Sequence, residues 1–301
     1  MKEIVNMVFP GLGIEEFSVS KIAFTIPIFG GIEVRWYGIF VTLGMVVAVL
    51  YTFYRAKKKN ISTDDLLDLA LFTIFFGVIG ARLYYVITYG GYSFAEIFQI
   101  WNGGLAIYGG IIGGILAIFG VCRYKKLNFL GMIDCIGPGV MIAQAIGRWG
   151  NFFNGEAYGG IVEEGSALYF LRMGLFPHDF HGVSGMAYVH PTFLYESLWN
   201  VIGFILINLF YKKKAFDGEI ACWYLGWYGF GRMLIEGLRT DSLMVGPFRI
   251  SQLVGLVCFA GCTALIIFGR IYMYKKGKSV PVSIADAESK DCEEKEDGEN
   301  H

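Results

Sequence analysis

Seven long apolar runs, each broken by a short polar segment, set the rhythm of this chain. They predict helices at about 36–54, 66–87, 105–121, 129–146, 192–211, 220–235 and 250–271. Runs of this length match the roughly 20 residues that carry an α-helix across a hydrocarbon core of about 30 Å. The region ahead of them is different. Residues 21–29 and 31–34 are apolar and partly alternating around Gly30 and Gly31, which predicts a short strand pair or an interfacial segment.

Composition agrees with the pattern. The 301 residues are 55% hydrophobic and only 17% charged, with a mean hydropathy of +0.51. A soluble domain carries more charge than this, so the expected class is an all-α polytopic membrane protein with seven transmembrane helices. The net charge of −1 hides a strong asymmetry. Cations cluster at Arg55 to Lys59, at Arg123 to Lys126, at Lys212 to Lys214 and from Arg270 to Lys278. With seven crossings every cluster falls on one side, whereas one crossing more or fewer scatters them. The positive-inside rule then places the N-terminus outside and the C-terminus in the cytoplasm.

This topology divides the chain into an extracytoplasmic segment at 1–35 and a membrane domain at 36–271. A small extracytoplasmic head falls at about 151–190. A polar, acidic tail at 277–301 cannot bury a core and is expected to be disordered in the cytoplasm. No basic face interleaves with exposed aromatics, so no nucleic-acid partner is expected. The six cysteines form no CxxC pair, and His178 and His181 lack a third ligand at suitable spacing, so neither a disulfide framework nor a metal site is expected. Gly109 with Gly113, and Gly110 with Gly114, make small-xxx-small pairs that let two helix backbones approach closely in lipid.

The densest polar stretch is residues 146–156, at the outer end of the fourth run. It holds Arg148, Asn151, Asn154 and Glu156 among Gly147, Gly150 and Gly155. A guanidinium offers a planar fork of donors suited to phosphate or carboxylate. The amides add further donors and acceptors, and Glu156 adds a possible base. At a membrane edge this reads as a pocket for an anionic head group, although a lone arginine there could equally be a snorkelling anchor. Other ionisable groups at membrane depth are Arg82, Glu196, Arg232, Glu236 and Arg239. Arg232 and Glu236 are spaced to pair on one helix face. Glu196 lies in a first helical turn, where the dipole favours an anion. Snorkelling accounts for Arg82.

The segment from Gly147 to Glu156 also resembles the signature of the bacterial prolipoprotein diacylglyceryl transferases. Other pieces match that family in order: Arg35-Trp36-Tyr37-Gly38, Trp101-Asn102-Gly103-Gly104, His190-Pro191-Thr192-Phe193-Leu194-Tyr195-Glu196, and Gly231-Arg232-Met233-Leu234-Ile235-Glu236 ahead of Arg239. The resemblance implies a multi-pass enzyme of the bacterial cell (inner) membrane. It would move the diacylglyceryl group of phosphatidylglycerol onto the lipobox cysteine thiol of a preprolipoprotein, releasing glycerol phosphate without a cofactor. Its partners would be phosphatidylglycerol, the preprolipoprotein signal-peptide region and the bilayer.

Carried over position by position, Arg148 would bind phosphatidylglycerol, with Asn151, Asn154 and Glu156 lining the pocket. Arg239 would be the second phosphate contact, and Tyr37 and Tyr228 would supply hydroxyls. One position departs from the pattern: many family members have a histidine where this chain has Tyr108, before Gly109-Gly110. A tyrosine is a poor base near neutral pH. Either Tyr108 positions substrate, or a glutamate such as Glu236 or Glu196 takes the proton. An anionic-solute transporter is the competing reading, but the polar groups gather at one face and no inverted repeat is evident.

Overall fold

The computed structural model describes residues 4–27, 31–99, 103–176, 187–240 and 244–277. The acidic tail beyond 277, His178, His181, Trp101 and Asn102 lie outside the described residues. Among the described residues there are eight α-helices: α1 (Trp36–Lys57), α2 (Thr63–Tyr89), the single turn α3 (Phe94–Ile97), α4 (Ile107–Tyr124), α5 (Phe129–Asn154), α6 (Thr192–Phe210), α7 (Glu219–Ile235) and α8 (Ile250–Lys275). Among the described residues, six of these are long and apolar enough to cross a membrane, with α6 counted through Lys213. The sixth expected span is also helical, but α7 has only 17 residues before a 3-10 turn, Glu236–Leu238, continues it. The protein is therefore mostly helical and polytopic.

By contacts the chain divides into two compact units, Met1–Ala48 with Gly137–His301, and Val49–Ile136. The smaller unit is organised by α2 and α4. Ser62 caps α2, accepting a hydrogen bond from the Asp65 amide, as a polar N-cap does for an otherwise orphaned donor. The glycines of α4 meet α2 backbone to backbone, as their spacing predicts: a Cβ added at Gly109 would overlap the Gly80 carbonyl, and one at Gly113 would overlap that of Phe76. Close approach of this kind replaces the hydrophobic drive that lipid cannot supply between helices.

Substituting Gly109 by valine should therefore cost about 1–3 kcal/mol or more from overpacking. Gly120→Ala, whose Cβ meets nothing within 4 Å, should be nearly neutral. Thermal unfolding midpoints in detergent check this, and equal midpoints for the two variants would remove the packing account.

Arg82 corrects the snorkelling expectation. Its side chain turns inward and is buried, with 6% exposure. It donates to the carbonyls of Ile97 (2.9 Å), Gly103 (2.8 Å), Gly104 (3.0 Å) and Glu96 (2.5 Å). Four carbonyls satisfy the fork of donors, so this cation ties Glu96 and Ile97 to Gly103 and Gly104 rather than reaching for the membrane surface. An apolar groove of about 1050 Å³ follows the α2–α4 seam, lined by Phe72, Phe76, Leu83, Ile112 and Leu116 among others. It contains none of the arginines or glutamates discussed below.

The larger unit contains an element that the helix-period pattern does not reveal. Strands β1 (Ile4–Phe9) and β2 (Ile14–Ser20) pair antiparallel, and β1 also pairs with β5 (Met173–Phe176), which pairs with β6 (Ala187–Val189). The order β2-β1-β5-β6 thus joins the N-terminal segment to the long 151–190 connection in one sheet. Val5, Met7 and Phe9 point to one face and pack with Met173, Leu175, Val189 and Phe193. The expected pair at 21–34 also forms, as a hairpin of β3 (Ile22–Ile26) and β4 (Ile32–Arg35).

Candidate active site

The C-terminal half of α5 has two chemically distinct faces. Trp149, Phe152 and Phe153 form the aromatic one. Phe152 lies 4.9 Å from Phe193, and Phe153 lies 4.9 Å from Trp36, between ring centroids. These contacts fix the rotation of the helix end. The remaining face carries Arg148, Asn151 and Asn154. Gly150 sits where α1 passes, its would-be Cβ 2.9 Å from the Tyr37 ring, so Tyr37 is packed against this same turn.

Beyond Asn154 the chain reverses at Gly155 and Ala157, both in the left-handed region with φ of 61° and 55°. It then runs as a short extended ribbon. Gly159 pairs with Arg239, and Ile161 pairs with Val189. The Gly160 amide donates to the Leu238 carbonyl at 2.7 Å, and His190 and Gly159–Gly160 exchange backbone hydrogen bonds of 2.9 and 3.0 Å. The Thr192 hydroxyl donates to the Ala157 carbonyl. Three segments far apart in sequence are thereby fastened side by side: the end of α5, the start of α6 and the end of α7.

Glu196 is where they meet. Its side chain is 3% exposed and contacts three guanidinium groups. Arg148 Nη2 lies 2.5 Å from Oε2 as an ion pair, without the alignment of a hydrogen bond. Arg232 Nη1 donates to Oε1 at 2.9 Å, and Arg239 Nη1 lies 3.5 Å from the same oxygen. Arg232 also pairs with Glu236 one turn on, so the intrahelical pairing expected from the spacing forms alongside the contact to α6. Among the described residues, three arginines and two buried carboxylates thus share one small volume.

The polar path continues outward. Arg148 donates to Asn151 at 3.3 Å, Asn151 donates to Glu156 at 3.1 Å, and Asn154 donates to the same Glu156 oxygen at 3.0 Å. Glu156 itself is exposed. Tyr228 lies one turn before Arg232 on α7, stacked on Tyr224 with centroids 6.2 Å apart. Of the residues singled out from sequence, Arg148, Asn151, Asn154, Glu156, Glu196, Arg232, Glu236 and Arg239 form one connected network. Tyr108 belongs to the other unit, on the first turn of α4, with its ring 6.4 Å from Tyr84.

Sequence reasoning missed Arg249 in this neighbourhood and gave His190, quoted within a family-like segment, no role of its own. Arg249, at the N-cap of α8, donates to the Glu236 carbonyl. Its signal was a lone cation at the end of a span opposite that span's basic cluster. His190 has its Nδ1 3.2 Å from the Tyr195 hydroxyl, beside Glu196 in sequence. Partial burial lowers the His190 pKa from its ordinary value, favouring the neutral imidazole near pH 7.

The sequence model of the prolipoprotein diacylglyceryl transferase family matches residues 21–268. The chain belongs to that family. The transferases named phosphatidylglycerol–prolipoprotein diacylglyceryl transferase include relatives of high similarity. One from Streptococcus equi subsp. zooepidemicus is 41% identical over 271 residues, covering 88% of this chain and 98% of the relative. One from Streptococcus pneumoniae is 44% identical over 266 residues, covering 86% and 97%. One from Clostridium kluyveri is 44% identical over 265 residues, covering 87% and 100%. The matched family region takes in α1 to α7 and most of α8, and with them every member of the ionised network. In this diacylglyceryl transferase chain the network is built from three of the family-like segments noted in the sequence.

Proposed function

We propose that this protein transfers the diacylglyceryl group of phosphatidylglycerol to the lipobox cysteine thiol of preprolipoproteins. The observation that carries the reading is the convergence of Arg148, Arg232 and Arg239 on one buried carboxylate. Guanidinium groups gathered at membrane depth suit a phosphodiester whose tails stay in the hydrocarbon. Membership of the family and the names of the relatives support the same substrate.

In the reaction the cysteine thiol gives up its proton and its sulfur forms a bond to the glyceryl carbon. The bond between that carbon and the phosphate oxygen breaks, and glycerol phosphate leaves with the electron pair. Arg148 and Arg239 hold the phosphate and stabilise the charge that gathers on it as the bond breaks. Arg232 fixes Glu196 and Glu236 in place. The thiol is a weak nucleophile until ionised, and Glu236 takes its proton. Tyr37 and Tyr228 position substrate, and Asn151, Asn154 and Glu156 line the outer rim. The protein sits in the bacterial cell membrane with its N-terminus outside, which places this network on the extracytoplasmic side.

The test is direct. Membranes containing the protein are given phosphatidylglycerol labelled in its acyl chains and a lipobox peptide. Label should move to the cysteine, and not to a Cys→Ser peptide. Absence of transfer by folded protein would overturn the reading.

A further inference from the structure

Two buried oxygens in the middle of the larger unit have no hydrogen-bond partner: Gln144 Oε1 on α5 and Asn200 Oδ1 on α6. Asn200 is 1% exposed. Its neighbours on the same helix face define where it points. Ser197 donates to the Ala145 carbonyl of α5 at 3.0 Å, and the bare Cα of Gly203 faces Met141 of α5 and Trp227 of α7. Asn200 lies between these two positions on α6, and Gln144 lies between Met141 and Ala145 on α5. Tyr224 of α7 also packs against α5, its Cβ and ring 3.5–3.7 Å from the Cβ position of Gly137. An amide oxygen left unpaired at the centre of a membrane helix is costly, on the order of 1–3 kcal/mol.

The three side chains continue the ionised network downward. Gln144 is four residues before Arg148, Asn200 is four residues after Glu196, and Tyr224 is eight residues before Arg232 through Tyr228. Four residues of helix rise about 6 Å. Below a phosphate docked on the arginines, the first unsatisfied groups are thus two hydrogen-bond acceptors within reach of a three-carbon substituent.

We propose that Gln144 and Asn200 form a subsite for the hydroxyl groups of a polyol phospholipid headgroup, one helical turn below the arginines. This rests on the transferase reading above and assigns headgroup selectivity to that site. The chemistry of the two oxygens selects the ligand. Both unpaired atoms accept, so ester carbonyls, which also accept, do not satisfy them, and alcohol hydroxyls do. An ammonium would donate as well, but none of Gln144, Asn200 and Tyr224 is a carboxylate that could offset its charge. Hydroxyl donors left at home, as in an alkyl headgroup, leave the two amides unpaired, and discrimination of that kind is large.

The experiment compares phosphatidylglycerol with phosphatidylpropanol, which has the same phosphodiester and a three-carbon headgroup without hydroxyls. Both are presented in vesicles to the wild type, Asn200→Leu and Gln144→Leu, with a lipobox peptide. The wild type should favour phosphatidylglycerol in kcat/KM by roughly tenfold or more. Each variant should lose most of that preference. The ratio is taken on one protein sample, so loss of folded protein cancels. An unchanged ratio in both variants, or no preference in the wild type, would overturn the proposal and leave ordered water as the partner of these oxygens. Should the wild type transfer neither lipid, the transferase reading fails. The subsite is then judged by equilibrium binding of the two lipids in nanodiscs, where the same loss of preference is required.

Discussion

Arg148→Ala should lower diacylglyceryl transfer by at least roughly 100-fold, the usual cost of removing one donor aimed at developing charge, while the protein still inserts and folds. The structure separates the two effects. Glu196 keeps Arg232 at 2.9 Å and Arg239 at 3.5 Å when Arg148 is lost, so no buried carboxylate is orphaned. Asn151 loses a weak 3.3 Å contact but keeps Glu156. Arg239→Ala should behave alike in turnover, since Glu196 then retains Arg148 and Arg232. Arg148→Lys keeps the charge but not the fork, and should recover only part of the loss. The measurement is kcat/KM for labelled phosphatidylglycerol, alongside the unfolding midpoint in detergent. Near-wild-type turnover in both alanine variants would remove the phosphate-clamp role.

Much of this arrangement was legible in the chain. Each long helix announces itself by an apolar run of spanning length, because a helix in lipid must satisfy its own backbone. The α2–α4 contact was readable from Gly109 and Gly113, since small residues at that spacing imply a close neighbour. The neighbour's identity was not readable, because it depends on which backbone Gly80 presents. Strands β1 and β2 were overlooked although Val5, Met7 and Phe9 alternate. Their partner β5 lies more than 160 residues away, and strand pairing at that separation leaves no local signature. The site divides in the same way. Arg148, Asn151, Asn154 and Glu156 come from one stretch and could be grouped from spacing alone. Glu196 looked like a helix-start anion, since nothing in its own segment names the three arginines that converge on it. Arg82 misled for the converse reason: its partners are main-chain carbonyls, which no side-chain pattern records.

Glu196→Leu should destabilise the protein more than any arginine substitution in the network, by about 3–5 kcal/mol. Each arginine shares its anion with two others, whereas Glu196 is the common counterion of all three. Its removal leaves three guanidinium groups gathered in a largely dehydrated space, with Glu236 the buried carboxylate that remains there among the described residues. The same logic gives this variant a second property. A phosphodiester that docks on the arginines competes with Glu196 in the wild type but faces no such competitor in Glu196→Leu. A ligand that binds only the folded state raises stability in proportion to its affinity. Phosphatidylglycerol in mixed micelles should therefore raise the unfolding midpoint of Glu196→Leu by more than it raises that of the wild type, with phosphatidylcholine at equal mole fraction as the reference. Equal shifts would mean that lipid phosphate and the Glu196 carboxylate do not share the same cations, and the clamp would then have to be sought away from this cluster.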